Sequence, residues 1–381
     1  MISWNEEQQS LREGFARWHE TLSADHLEMD KGQAFSRRHW DIAARSGLFG
    51  LPFEELWGGL GQDLLTTMYV LESLGYGCRN GGLSFSVSTH IVSCGVPLQQ
   101  FGTPSQKQRF LSRICDGSMI AAHAITEPGS GSDALAMRTT ARSEGDRWIL
   151  NGSKTFVSNG PVADIVLVYA RTNPKAGSLG ITPFLVERGT PGFAAGRPIE
   201  KMGLKTSPFG ELFFDECAVP AENMIGRPGG GFPILDYVMK WEILCSFVIT
   251  VGAMQHRLER CVEQARAREQ FGRPIGAYQA IANKVVEMRI AVDTARMWLY
   301  ETARRFQAGE NVSAEIAIAK LVASEGNLAS ALNAVQIFGG NGYAAEYGIE
   351  KDLRDAVGGT IYSGTSEIQR NRIARIMGIP G

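Results

Sequence analysis

Apolar positions recur at three- and four-residue spacing through the first part of the chain. Leu11, Phe15, Trp18 and Leu22 mark one helical stripe, and Ser3 with Glu6 has the spacing of a capping box at its start. Further helices are predicted at 36–45 (stopped by Gly47), 66–74 and 83–98, the last apolar enough to be buried. The segment LPFEELWGGLGQD turns the chain through Pro52 and its glycines. Thr103-Pro104-Ser105-Gln106 supplies another cap, with Pro at the first helical position and Gln at the third, and that helix ends near Asp116-Gly117. From residue 119 the period changes. The β-rich runs MIAAHAIT, RWILNGSKTFVSN, DIVLVYART, ITPFLVE and GELFFDECAV are separated by Gly, Pro and Asn at spacings that suit antiparallel strands. RPGGG (227–231) closes this stretch as a hinge, and helices return at 232–268, 278–307, 313–338 and 366–377, an antiparallel bundle. The expected fold class is α+β multidomain: an N-terminal α-helical domain (1–118), a small middle β-barrel domain (119–228) and a C-terminal four-helix bundle (229–381).

One carboxylate interrupts the apolar pattern of 232–254, FPILDYVMKWEILCSFVITVGAM, a run too polar at its ends to span a membrane. On a helix Glu242 faces Val238, Met239, Cys245 and Ser246, none of which can pair with it, and Lys240 points elsewhere. An unpaired carboxylate on an apolar face is costly, and its pKa should rise. A cation from another helix is the structural alternative.

Composition narrows the partners. The net charge of −2 and the lack of a dense Lys/Arg run argue against nucleic acid, and no apolar stretch argues for a membrane. Six scattered cysteines without CxxC and six histidines without ligand spacing predict free thiols and no metal. No basic-then-apolar leader opens the sequence, so a cytoplasmic location is expected. Two glycine-rich loops remain as candidate chemistry, AITEPGSGSD (124–133) and QIFGGNGY (336–343). Small residues and hydroxyls let backbone N–H groups approach a phosphate or a flat ring. Taken singly, however, each reads better as an ordinary surface turn (124–133) or a glycine helix stop (336–343). GxGxxG and GxxxxGK[ST] are both missing, which removes the Rossmann and P-loop readings. REQFGRPI (268–275) sets two arginines beside an aromatic, a combination suited to pyrophosphate or adenine, and YSGTSEIQR (362–370) opens the last helix with N–H groups that could receive an anion.

In combination these segments resemble the acyl-CoA dehydrogenase family. AITEPGSGSDALA and QIFGGNGYAAEYGIEKDLRD match its two hallmark segments, and KTFVSNG (154–160), REQFGRPI with Gln279 and GTSEIQR (364–370) follow in the family's order. The resemblance spans essentially the whole chain. It implies FAD bound between the β-domain and the C-terminal bundle, completed by a neighbouring subunit of a homotetramer built as a dimer of dimers. Carried over by motif, Ile125, Thr126, Gly131 and Ser132 would contact flavin or pyrophosphate, and Phe156, Val157 and Ser158 would line the ring. Phe156 stands where relatives often have Trp, and Ser158 where they have Thr. Arg268, Phe271, Gln279, Gln336, Gly339 and Gly340 would reach FAD, the last three at the adenosine half across the dimer interface. Thr365 and Glu367 would complete the site.

The family's frequent Tyr-Glu-Gly-Thr segment reads Tyr362-Ser363-Gly364-Thr365 here, so the usual base is absent. Isovaleryl- and long-chain-type members carry it on the helix before REQFG, and the landmark Gly252-Ala253-Met254-Gln255 brings that position onto Glu242. The implied reaction is α,β-dehydrogenation of an acyl thioester. Glu242 would take the α-proton, hydride would pass to flavin N5, and the Ser363 backbone N–H would polarise the thioester carbonyl. Ser132, Met239, Lys240, Ser363 and Gly364 are the expected substrate contacts. Relatives usually have an acidic residue at position 240 and arginine at 243. Lys240 and Ile243 therefore leave acyl-CoA and a carrier-protein-bound acyl or aminoacyl thioester, prolyl among them, both open. The acceptor is an electron-transferring flavoprotein or oxygen. The alternatives are a non-catalytic flavoprotein scaffold that lost the base at 363, or a related FAD-dependent oxidase.

Overall fold

The computed structural model describes residues 3–379. Eight helices come first: α1 (Glu6–Ala16), α2 (His19–Ser23), α3 (His26–Gly32), α4 (Arg37–Arg45), α5 (Leu64–Gly77), α6 (Gly81–His90), α7 (Val96–Phe101) and α8 (Pro104–Cys115). Asn5, not Ser3, caps α1: its side chain accepts from the Gln8 N–H at 2.8 Å and its own N–H donates to Gln8 Oε1 at 3.1 Å. Both candidate boxes have the right spacing. The later one leaves Glu6 and Glu7 in the positive first turn and lets Gln8 Nε2 reach Thr66 Oγ1 on α5 at 2.8 Å. The Thr103–Gln106 box forms as expected. The predicted helix over 83–98 is instead two, joined by a π turn at Ile91–Gly95. Pro97 has no N–H to donate back into that turn, and a single α ladder cannot run through it.

Seven strands make one curled sheet: β1 (Ala121–Ala124), β2 (Thr140–Glu144), β3 (Arg147–Ser158), β4 (Ile165–Arg171), β5 (Ile181–Glu187), β6 (Phe193–Pro198) and β7 (Phe209–Pro220). Their order is β1-β4-β2-β3-β7-β6, with β5 on β4. The sheet is mixed rather than antiparallel throughout, because β1 runs parallel to β4 from Ala121↔Ile165 to Ala124↔Val168. The β2–β3 hairpin lies between those two strands in sequence, and it returns the chain in its original direction. The sequence pattern missed β2 and β6, which are short and mostly exposed and so lack a strong alternation. One face of the sheet holds its own core, including Ala122, Ala124, Leu150, Val166, Val168, Phe184 and Leu212. The other face of β1 and β4, with Ala121, Leu167 and Tyr169, packs into the helical core.

The chain then forms α9 (Gly231–Ala267), a small hairpin of β8 (Glu269–Gln270) and β9 (Arg273–Pro274), α10 (Gln279–Gln307), α11 (Ser313–Phe338), α12 (Gly340–Tyr343), α13 (Ile349–Gly359) and α14 (Ser366–Ile376). The bundle therefore has more helices than the four predicted. The chief addition, α13, was hidden because charged residues fill IEKDLRDAVGG. No helix among the described residues is long and apolar enough to cross a membrane.

Two contacts place α9. It crosses α5 through glycines, where a Cβ on Gly75 would lie 1.9 Å from Ile249 O and one on Gly252 would lie 2.0 Å from Glu72 O. Side chains there would push the backbones apart. Farther along, Arg257 on α9 and Arg79 each reach Asp352 on α13 at 3.3 Å. Burial opposes the Asp352 charge, but Arg79, Arg257 and Lys351 outweigh it and hold the carboxyl below its ordinary range.

The stability that Asp352 contributes is thus present above its unfolded pKa of about 4 and lost as pH falls through the lower folded value. Replacing Arg257 with Met leaves that carboxylate short of a partner and should cost about 3 kcal/mol at pH 7. Urea unfolding of both proteins at pH 7 and at about pH 3.5 should show the gap narrowing in acid; an equal gap at both pH values would remove Asp352 from the explanation.

Candidate active site

Alternation along β1 points Ala122 and Ala124 into the sheet's core and His123 out of it, toward α9. There His123 Nε2 lies 2.9 Å from Glu242 Oε2, with both side chains about seven-eighths buried. Ser363 Oγ donates to Glu242 Oε1. Glu242 faces apolar Val238 and Cys245 on its own helix, as expected, yet it is not unpaired: its partners come from a strand and from the turn after α13. The predicted rise in pKa is therefore corrected. Burial pushes the carboxyl up, but His123 and the Ser363 hydroxyl outweigh it and hold the group below its ordinary value.

The turn that delivers Ser363 is strained by design. Ser363 has φ +55° and Gly364 φ +87°, both left-handed. Gln369 Nε2 ties the turn down by donating to Ser363 O at 3.0 Å and Gly364 O at 3.3 Å. A Cβ at position 364 would lie 2.7 Å from that same amide nitrogen.

The 124–133 loop is shaped from inside. The Glu127 carboxylate accepts from the N–H groups of Arg138 at 2.5 Å and Thr139 at 2.9 Å and from Lys154 Nζ at 2.8 Å. Lys154 is fully buried and also donates to Ile125 O at 3.0 Å. Burial draws its ammonium down to about 8, with Glu127 pulling the other way, so both groups are ionised at neutral pH. Glu127 and Ser130 exchange backbone hydrogen bonds at 3.0 Å across Pro128-Gly129. This leaves Gly131 and Ser132 exposed and Ile125 and Thr126 half-buried.

On β3 a register shift between Lys154 and Val157 interrupts the alternation, and Phe156 adopts φ +55°. The bulge turns the Phe156 ring outward, 58% exposed and stacked on Phe209 at 5.6 Å. Ser158 stays half-buried, and Val157 points into the sheet's core, so only its backbone is available to a ligand. Beyond the Ser363 turn, Thr365 caps α14, with its Oγ1 accepting from the Ile368 N–H at 3.3 Å. A cleft of about 560 Å³ opens there, lined by Glu325, Leu332, Thr360, Ile361, Thr365 and Glu367 among others.

These residues fit a flavin nucleotide. A presented aromatic ring and buried Ser366 Oγ and Gln369 Oε1 without partners suit a large polar and planar guest. The remaining predicted contacts lie elsewhere. At about 1.5 Å per residue along α9, Arg268 sits about 39 Å from Glu242. Arg268, Phe271 (95% exposed), Gln279, Gln336, Gly339 and Gly340 are all exposed, and Lys284–Asn333 at 3.2 Å joins the start of α10 to the end of α11.

Met239 lies half-buried one turn before Glu242. Lys240 is not a free cation: it pairs with Asp236 on its own helix at 2.5 Å and lies over Phe306. Sequence reasoning did not single out His123, although a lone histidine flanked by alanines in a strand was the available signal. Nor did it find Lys320, fully buried with its Nζ unpartnered above Phe247.

Fold and site together define a flavin-dependent acyl-thioester dehydrogenase. Models of the N-terminal, middle and C-terminal domains of acyl-CoA dehydrogenase match residues 5–118, 122–217 and 229–378, and the chain belongs to that family. It is an FAD-dependent oxidoreductase acting on the CH–CH bond of acyl thioesters. It is 39% identical to an L-prolyl-[peptidyl-carrier protein] dehydrogenase of Pseudomonas fluorescens over 90% of both chains. It is 37% identical to a short-chain specific acyl-CoA dehydrogenase of Megasphaera elsdenii, again over 90% of each. The structure of PigA with FAD and proline superposes with a TM-score of 0.97 at 36% identity, covering all of both chains.

Replacing Lys154 with Met leaves the Glu127 carboxylate buried without its cation, a change that should cost about 3–5 kcal/mol. A lower melting temperature and a lower ratio of flavin to protein absorbance should appear together; full flavin content would mean that the loop does not need the pair.

Proposed function

We propose that Glu242 is the base that takes the α-proton of an aminoacyl thioester held on a carrier protein, with a prolyl-type group as the preferred substrate. One observation carries the base assignment. The two groups that hold its carboxylate sit three residues before Thr126 and two before Thr365, both cofactor positions. The base is therefore built into the same two segments that would bind the flavin. FAD, when bound, accepts the β-hydrogen as hydride. Glu242 is ionised at neutral pH, and each of its oxygens keeps a lone pair for the incoming proton. The backbone N–H of Ser363 donates to the thioester carbonyl and so acidifies the α-carbon. Thr126, Ser158 and Phe156 would hold the flavin ring, and Thr365 and Glu367 the chain beyond it.

Lys240 no longer argues for a phosphate-bearing arm, since its charge is spent on Asp236. The preference for an aminoacyl group rests on other features. His123 Nδ1 and the fully buried Tyr169 hydroxyl lie beside Glu242 without partners. A substrate with a ring nitrogen offers them hydrogen bonds that a plain acyl chain does not. The relatives whose names specify prolyl carrier proteins support the same choice.

Arg268 is too far along α9 from Glu242 to serve the same flavin ring, and Phe271, Gln279, Gln336, Gly339 and Gly340 are exposed with it. This set would complete the site of a second copy within a homotetramer. An electron-transferring flavoprotein or oxygen would take the electrons, and the enzyme would work in the cytoplasm.

Glu242→Gln should keep its flavin and lower the rate of anaerobic flavin bleaching on the order of a thousandfold. Unchanged bleaching would sink the base assignment. In the parent, L-prolyl carrier-protein thioester should bleach faster than butyryl-, isovaleryl- or octanoyl-CoA; the reverse order would reassign the substrate.

A further inference from the structure

We propose that His123 is a positioning residue for the base: its Nε2–H fixes the Glu242 carboxylate in one orientation and keeps it ionised while the site is dry. This rests on the reading of Glu242 as the base.

The geometry is specific. His123 lies in the paired part of β1, opposite Leu167, so its backbone has little freedom. Its ring leaves the sheet on the side opposite the Ala122 and Ala124 methyls and meets Glu242 Oε2 at 2.9 Å. Nδ1 is buried without a protein partner, so Nε2 is the nitrogen that carries hydrogen toward the carboxylate. Ser363 Oγ holds the other oxygen. Two donors from different elements, one on each oxygen, set both the rotamer and the plane of the carboxylate. A serine hydroxyl alone would leave it free to swing about that one bond.

Electrostatics point the same way. Burial by itself drives a carboxyl toward its neutral form, and a protonated Glu242 is useless as a base. The groups that face it from the other packed elements do not help. Tyr169 on β4 and Tyr362 before the turn are both lifted well above the usual phenol range by burial, so they remain neutral. Cys245 on α9 is likewise lifted, and Cys94, which neighbours Tyr169, is pushed up to about 12. Lys240 is occupied by Asp236. That leaves His123 and the Ser363 hydroxyl as the donors to Glu242 among the described residues.

The test uses flavin-loaded enzyme and follows kcat/KM from about pH 4 to 9 with L-prolyl carrier-protein thioester, or with butyryl-CoA if that is the one reduced. In His123→Phe burial dominates. The acid limb should move up by at least about one pH unit, a loss that is largest at the acid end of the range and vanishes by pH 8. His123→Gln, whose amide reaches to the Nε2 position, should keep the limb near its parental place. His123→Asn, with the same amide but a shorter reach, should behave like Phe and decides the matter if the Phe protein does not load flavin.

A second readout needs no turnover. The stability contributed by Glu242 is present above its unfolded pKa and lost as pH falls through its lower folded one. Melting temperatures from pH 7 to 4 should therefore show a smaller acid-dependent drop in His123→Phe than in the parent. An acid limb that does not move, whatever pH-independent loss the missing Nδ1 contact to substrate brings, overturns the positioning role. Full activity of Glu242→Gln, run alongside, would instead overturn the base assignment beneath it.

Discussion

A carboxylate held in a dry site must have donors, or it takes up a proton and stops being a carboxylate. In this protein that requirement falls on Glu242, and satisfying it brings together three distant parts of the chain. Strand β1 contributes His123, helix α9 contributes the carboxylate, and the turn after α13 contributes Ser363. The rest of the structure keeps those three in register. Gly75 and Gly252 let α9 lie close against α5. Asp352, gripped by Arg79 and Arg257, locks α13 to α9 and so fixes where the Ser363 turn emerges.

Two of the residues with strained backbone belong to the segments around the site. Phe156 and Ser363 both have positive φ, a conformation that costs a non-glycine residue on the order of 1–3 kcal/mol. One presents an aromatic face beside the Thr126 loop, and the other aims a hydroxyl at the base. Each is held by neighbours that leave little choice: the register shift on β3 for Phe156, and Gln369 for Ser363. Sites held this firmly are ready before the ligand arrives, so binding need not reorganise them.

The buried pair of Glu127 and Lys154 plays a different part. Its net electrostatic worth is small once desolvation is counted, as for most buried ion pairs. Its value is geometric. The carboxylate collects two backbone N–H groups from across the loop while Lys154 reaches the Ile125 carbonyl, so a segment rich in glycine and serine acquires one shape.

The sequence by itself determined the order of helix, sheet and helix, because the hydrophobic period changes from 3.6 to 2 and back and turn residues mark the changes. It also marked Glu242, since one carboxylate in an apolar helical run stands out whatever lies opposite. Asn5 in place of Ser3, the π turn at 91–95 and the charged helix α13 were ambiguous locally, because side chains far off in the sequence decide them. Only the tertiary structure decided the state of Glu242. Its partners lie more than a hundred residues away in either direction along the chain, and helix geometry describes only its own face. The carboxylate that the pattern predicted to be unpaired, and hence easily protonated, is held ionised by a histidine and a serine from two other segments, and a pKa belongs to such an assembled environment rather than to the residue.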